Sequence, residues 1–125
     1  MKPKKVLVVD DSKLLHRIFE TMLRNCELVH AGDGVEGFER LGQHPDVDLI
    51  LLDVNMPRMN GLEFLAQLKA DPKRAQIPVI VITTEGKEEE AERGMKAGAA
   101  AYVRKPFQSE ELLAAIAKLN PGGGA

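Results

Sequence analysis

Five short apolar runs punctuate the chain: Val6 to Val9, Leu28 to Ala31, Leu49 to Leu52, Val79 to Ile82, and Ala100 to Val103. They read as near-continuous aliphatic stretches, not as alternating ones, which is the pattern of strands covered on both faces. Between them, apolar residues recur three and four positions apart, at Leu14, Leu15, Ile18, Phe19, Met22 and Leu23, then at Val35, Phe38 and Leu41, then at Leu62, Leu65 and Leu68. That spacing lays one apolar stripe along a helix. A last helix is expected to start at Ser109 as its N-cap, with Glu110 and Glu111 favourably placed in the helix dipole, and to run through Leu112, Leu113, Ile116 and Leu119. Strands and helices therefore alternate, and the expected architecture is a doubly wound (βα)5 sandwich. Its core is a five-stranded parallel sheet joined by right-handed crossovers.

At 125 residues the chain fits a single domain. Its expected extent is 1–119, with 120–125 ("NPGGGA") a flexible Gly-rich tail. A net charge of −2 gives no electrostatic footprint for nucleic acid or a membrane surface. Cys26 has no second cysteine to pair with and reads as an ordinary reduced thiol. With no apolar run long enough for a signal peptide or a span, the expectation is a cytoplasmic protein that has no direct nucleic-acid or membrane partner.

Ligands of doubly wound sheets sit outside the carboxyl ends of the strands. Asp10 and Asp11 follow the first run, Asp53 the third, Thr83 and Thr84 the fourth, and Lys105 lies just past the fifth. All should converge on one rim. Three carboxylates in a small space need compensating positive charge, from a cation or from Lys105. An Mg²⁺ ion, which prefers oxygen ligands and keeps several waters, suits such a cradle. Plainer readings exist for each residue. Asp10 and Asp11 could cap the first helix, Asp53 could merely end a strand before the turn "MPRMNG", Lys105 could be a solvated lysine, and Thr83 could reflect β-propensity. Convergence favours the metal cradle over two adjacent caps.

The segments "VVDDS", "LILLDVNMPRMNG", "VIVITT" and "AAYVRKPF", in this order and each at the end of a strand, resemble the response-regulator receiver domain, the CheY-like phosphoacceptor module of two-component signalling. The resemblance runs from Lys4 to about Leu119 and implies a flavodoxin-like strand order, 2-1-3-4-5. It also implies that Asp53 accepts a phosphoryl group from a histidine kinase, a phosphotransfer protein or a small phosphodonor, giving an aspartyl phosphate. Asp10, Asp11, Asp53 and the backbone carbonyl of Asn55 would hold Mg²⁺, with Mn²⁺ as a substitute. Lys105 and Thr83 would help to neutralise phosphoryl-oxygen charge. By the same resemblance Thr83 and Tyr102 form a switch that carries the phosphorylation state to the surface made by the helix after the fourth strand, the fifth strand and the last helix. A downstream protein target or a fused output domain would read that surface. Tyr102 could equally cover a sheet edge.

The intervening segment "EGKEEEAERGMKAGA" supports such a switch through its scarcity of large apolar anchors and its internal Gly94. Asn55, Glu85 and Thr84 occupy positions that tune acyl-phosphate lifetime in the family. His16, His30 and His44 lack metal-ligand spacing and are read as solvated or packed. Among rivals, a haloacid-dehalogenase-type phosphatase needs a second acid where this chain has Asn55. A flavodoxin-like cofactor binder needs a glycine-rich phosphate loop after the first strand, where this chain has acids. A phosphorylation-independent interaction module of the same fold is the remaining alternative, and the overall expectation is a signalling phosphoacceptor, not a multiple-turnover enzyme. Thr84 stands where the family usually has Ala or Gly, so Thr84→Ala is expected to change the rate of phosphorylation or dephosphorylation. Identical time courses of phosphorylated mass in the two proteins would contradict this.

Overall fold

The computed structural model describes residues 2–54, 59–84 and 88–119. Its elements are β1 (Lys5–Val9), α1 (Lys13–Met22), β2 (Glu27–Ala31), α2 (Gly34–Gln43), β3 (Leu49–Asp53), α3 (Gly61–Ala70), β4 (Val79–Thr84), α4 (Glu88–Lys96), β5 (Ala101–Lys105) and α5 (Ser109–Ala117). The strands form one parallel sheet in the order β2-β1-β3-β4-β5. This is the expected doubly wound (βα)5 sandwich with its 2-1-3-4-5 order.

Successive side chains of a strand point to opposite faces, and here both faces are apolar. Leu7, Val9, Ile50, Leu52, Val79 and Val81 pack with Leu41, Phe64, Leu65 and Leu68 in the core beneath α2 and α3. Val6, Val8, Leu49, Leu51, Ile80 and Ile82 pack with Phe19, Leu23, Leu112 and Ile116 beneath α1 and α5. Uninterrupted apolar strands are thus the sequence trace of two cores sharing one sheet. Phe64, fully buried against Phe38 with ring centroids 4.6 Å apart, is a core residue that the expected α3 stripe omitted. Conversely Leu14 and Leu113, both placed on apolar stripes by spacing, are 67% and 45% exposed. A four-residue spacing cannot tell the centre of a stripe from its edge.

Local polar chemistry sets the helix starts. Ser12, Asp33 and Asn60 cap α1, α2 and α3 by accepting from the backbone N–H groups of Leu15, Glu36 and Glu63. The cap of α5 differs from expectation: Ser109 is the first helical residue and Gln108 is the N-cap. The Glu111 carboxylate reaches back to accept from the Gln108 N–H at 3.3 Å, a bond that fixes the start one residue earlier. Gly98, at φ +112°, ends the α4 segment in the left-handed region, and its N–H donates to the Met95 carbonyl.

Gly61 opens α3 directly beneath the end of β3. Its N–H donates to the Val54 carbonyl at 2.8 Å, and a Cβ at this position would collide with the Asp53 carbonyl oxygen and lie 2.8 Å from the Val54 Cα. Both obstacles are backbone, so neither can rotate away. Gly61→Ala is expected to lower the unfolding free energy by about 1–3 kcal/mol. The same change at Gly42, which has nothing within 4 Å, should stabilise α2, by up to about 1 kcal/mol. Urea denaturation of the two variants should give midpoints shifted in opposite directions, and equal shifts would contradict this account.

Candidate functional site

Parallel strands bring all their carboxyl ends to one edge, and the polar residues expected there do converge. The ladder, however, runs further than expected. Asp53 closes β3, paired in register with Ile82, and Thr83 and Thr84 belong to β4, paired with Arg104 and Lys105 of β5. These side chains are therefore held by the last rungs of the sheet and not by the loops beyond it, and β5 correspondingly begins at Ala101, with Ala100 still donating its N–H to the Val79 carbonyl.

Asp10 follows the last residue of β1. Its N–H donates to the Ala31 carbonyl at 3.0 Å, and its Oδ1 accepts from the Ser12 N–H at 2.8 Å. The plainer reading of the acid pair as helix caps does not hold, because Ser12 itself is the cap. Asp11 is exposed, while Asp10 and Asp53 are 2% and 6% exposed. Oxygen atoms of all three carboxylates lie within 4.8 Å of one another. Lys105 donates to Asp10 Oδ2 at 3.4 Å and to Asp53 Oδ1 at 3.3 Å, so its ammonium bridges the two buried acids. The peptide bond from Lys105 to Pro106 is cis.

Burial pushes the Asp53 carboxyl up from its ordinary 3.8 to about 6; the negative charge of Asp10 adds to the rise, and Lys105 opposes it. One ammonium thus only partly offsets the cluster. The donor set is entirely oxygen and two of its acids are buried, which fits a hard divalent cation. Thr83, 2% exposed, keeps its Oγ1 buried without a hydrogen-bond partner among the described residues. Thr84 is exposed and lines a shallow pocket with Leu15, Ile18, Lys105, Pro106 and Phe107.

The response regulator receiver domain model matches residues 6–117. The chain belongs to this family. It is 40% identical over 111 residues to the chemotaxis protein CheY1 of Helicobacter pylori, covering 86% of this chain and 90% of that one. Among solved structures, the chemotaxis protein CheY4 of Vibrio cholerae superposes with a TM-score of 0.83 at 32% identity, covering 92% of this chain and 97% of that one. The Mn²⁺-bound form of the response regulator Rcp1 does so with a TM-score of 0.76 at 32% identity, covering 90% and 88%.

Within this receiver domain, Tyr102 sits on β5, 43% exposed, beside Ala91 and Met95 of α4. Asn55 and Glu85 lie outside the described residues. No helix among the described residues is long and apolar enough to cross a membrane. One contact had no trace in the sequence spacing. His16 and His30, fourteen positions apart, meet nitrogen to nitrogen at 2.6 Å. Only the pairing of β1 with β2, which sets His30 opposite Val8, could have suggested it.

The raised Asp53 pKa has a measurable consequence in metal-free buffer. The folded state holds this proton to about pH 6 and the unfolded chain only to 3.8, so stability is highest when the group is protonated and falls as pH rises between those values. The loss amounts to up to about 3 kcal/mol. Asp53→Asn should therefore be more stable than the native protein at pH 7 and lose that advantage near pH 4. Urea titrations at both pH values check this, and parallel pH dependences in the two proteins would contradict it.

Proposed function

We propose that this receiver domain is a phosphoacceptor in which the Asp53 carboxylate attacks the phosphorus of a phosphohistidine on a histidine kinase or phosphotransfer protein, or of a small phosphodonor. A bond forms between an Asp53 oxygen and phosphorus, the bond to the donor's nitrogen or oxygen breaks, and the donor leaves with that electron pair. The observation that carries the reading is the buried Asp53, flanked by Asp10 and Asp11 with their oxygens within 4.8 Å, and bridged by Lys105 at 3.3 Å. At pH 7 a carboxyl with a pKa of about 6 is mostly ionised and ready as a nucleophile.

Asp10, Asp11, Asp53 and the backbone carbonyl of Asn55 would hold Mg²⁺, with Mn²⁺ as a substitute. When bound, the ion supplies neutralisation of phosphoryl-oxygen charge. Lys105 would shift from its carboxylate partners to a phosphoryl oxygen, and the Thr83 hydroxyl would donate to another. Drawing Thr83 toward the phosphoryl group vacates space behind it, which Tyr102 would fill. That change would bias the surface of α4, β5 and α5 toward a state read by a downstream protein target or a fused output domain. α4 suits such a shift, since only Ala91 and Gly94 are buried among its described residues. Asn55, Glu85 and Thr84 would tune the lifetime of the acyl phosphate, and the protein would assist its own phosphorylation and dephosphorylation without being a multiple-turnover enzyme. A cytoplasmic location and a domain spanning 1–119 complete the reading; the expected 120–125 tail lies outside the described residues.

Intact mass after incubation with Mg²⁺ and acetyl phosphate tests it. One added phosphoryl group, absent in Asp53→Asn and with a chelator, is expected. No gain with acetyl phosphate, a second small donor or a kinase extract would overturn the mechanism and leave a phosphorylation-independent interaction module.

A further inference from the structure

The contact between His16 and His30 carries chemistry that the acidic rim does not use. His16 lies on α1 and His30 on β2, both partly buried, with ring centroids 4.7 Å apart and planes at 70°. Their outer nitrogens face groups that only accept. His16 Nε2 is 2.7 Å from the backbone carbonyl oxygen of Asp10, and His30 Nε2 is 3.1 Å from the Glu20 carboxylate. Each Nε2 must therefore carry the hydrogen, and a neutral imidazole has only one. With both rings neutral, both Nδ1 atoms are bare lone pairs that point at each other across 2.6 Å.

Two lone pairs cannot remain at that distance without a positive centre between them. Arg40, which reaches the His30 backbone, donates its Nε–H to the His30 carbonyl and its Nη1 to Gln43, so it does not fill the gap. A shared proton or a metal ion can. Burial and the neighbouring His16 hold the His30 imidazole below its ordinary pKa, against the pull of Glu20, which disfavours the proton near neutrality.

The arrangement also has the outer bonds of a metal site. A ligating histidine characteristically donates its other N–H to a carboxylate or a backbone carbonyl, which fixes the tautomer and raises its basicity. Glu20 does this for His30, and the Asp10 carbonyl does it for His16. Tetrahedral zinc with bonds of about 2.0–2.1 Å sets two nitrogen ligands about 3.3 Å apart. The observed 2.6 Å separation needs to open by only about 0.7 Å, a small rotation of two rings. The His30 side chain is 36% exposed, which leaves room for water on the remaining positions. We propose that His16 and His30 bind a divalent transition metal of the zinc class through their Nδ1 atoms. The site is chemically distinct from the all-oxygen rim, because imidazole selects zinc, copper, nickel or cobalt while carboxylates suit magnesium.

The two sites stand back to back. His16 holds the carbonyl of Asp10 while the Asp10 side chain faces Lys105, so an ion on the histidines would stiffen the backbone leaving β1. The test is titration of Co²⁺, followed by its visible ligand-field bands, and of Zn²⁺ by calorimetry, into the full chain with Mg²⁺ in excess. In Asp11→Asn, which weakens the oxygen rim, one equivalent of each is expected, with binding lost when His16→Gln or His30→Gln is added and kept when His44→Gln is added. Glu20→Gln, a change at an exposed side chain, should weaken binding by about tenfold without altering the thermal melt. Absence of saturable uptake would overturn the proposal. So would uptake that survives both histidine changes, or that is lost in Asp11→Asn, since the ion would then sit on the oxygen rim.

Discussion

Two carboxylates buried on neighbouring strand ends repel each other, and the rest of the site is arranged around that repulsion. Asp10 and Asp53 can be held there because parallel pairing of β1 with β3 fixes their backbones, Gly61 lets α3 close under the end of β3, and Lys105 reaches across from β5 to touch both acids. Burial, and after it the charge of Asp10 that one ammonium only partly offsets, holds the Asp53 pKa high. A group built with this deficit favours whatever brings cationic charge to the rim, and it resists a change that would bury a further anion without one. The same electrostatics make the isolated fold less stable than an apolar rim would, a cost commonly found where a site needs poised charge.

Much of this was legible in the sequence for a definite physical reason. In a parallel sheet the strand interior must be apolar on both faces, so the first polar residue after each run marks the same edge of the molecule. Asp10, Asp11, Asp53, Thr83 and Lys105 were found by that rule, and the family match over residues 6–117 places them in a known kind of domain. The rule could not locate the end of each strand. Asp53, Thr84 and Lys105 still belong to the ladder, because backbone pairing continues as long as a neighbouring strand offers partners, whatever the polarity of the side chain.

Other features depend on relations between segments that one-dimensional spacing does not carry. The exposure of Leu14 and Leu113 follows from where each helix lies against the sheet, and the buried Phe64 is set by the same docking. The α5 cap was misplaced by one residue because Ser109 has the better capping side chain while Glu111 decides the matter by reaching back to Gln108. The meeting of His16 with His30 requires both the α1 docking angle and the alignment of β2 on β1. Neither histidine has a local signal in the sequence, and the acceptors on their far sides come from α1 and from the end of β1.

The thin packing of α4 has a further consequence. Only Ala91 and Gly94 among its described residues are buried, and Gly94 rests against Val81 with no side chain of its own. The outward positions, among them Glu89, Glu92, Arg93 and Lys96, make no contribution to either core. Drift at those positions leaves the sheet, the acids and Lys105 untouched. A fold built this way can change the charge and shape of one flank while the arrangement of acids and lysine at the strand ends stays fixed, so the two ends of the molecule are free to diverge at different rates.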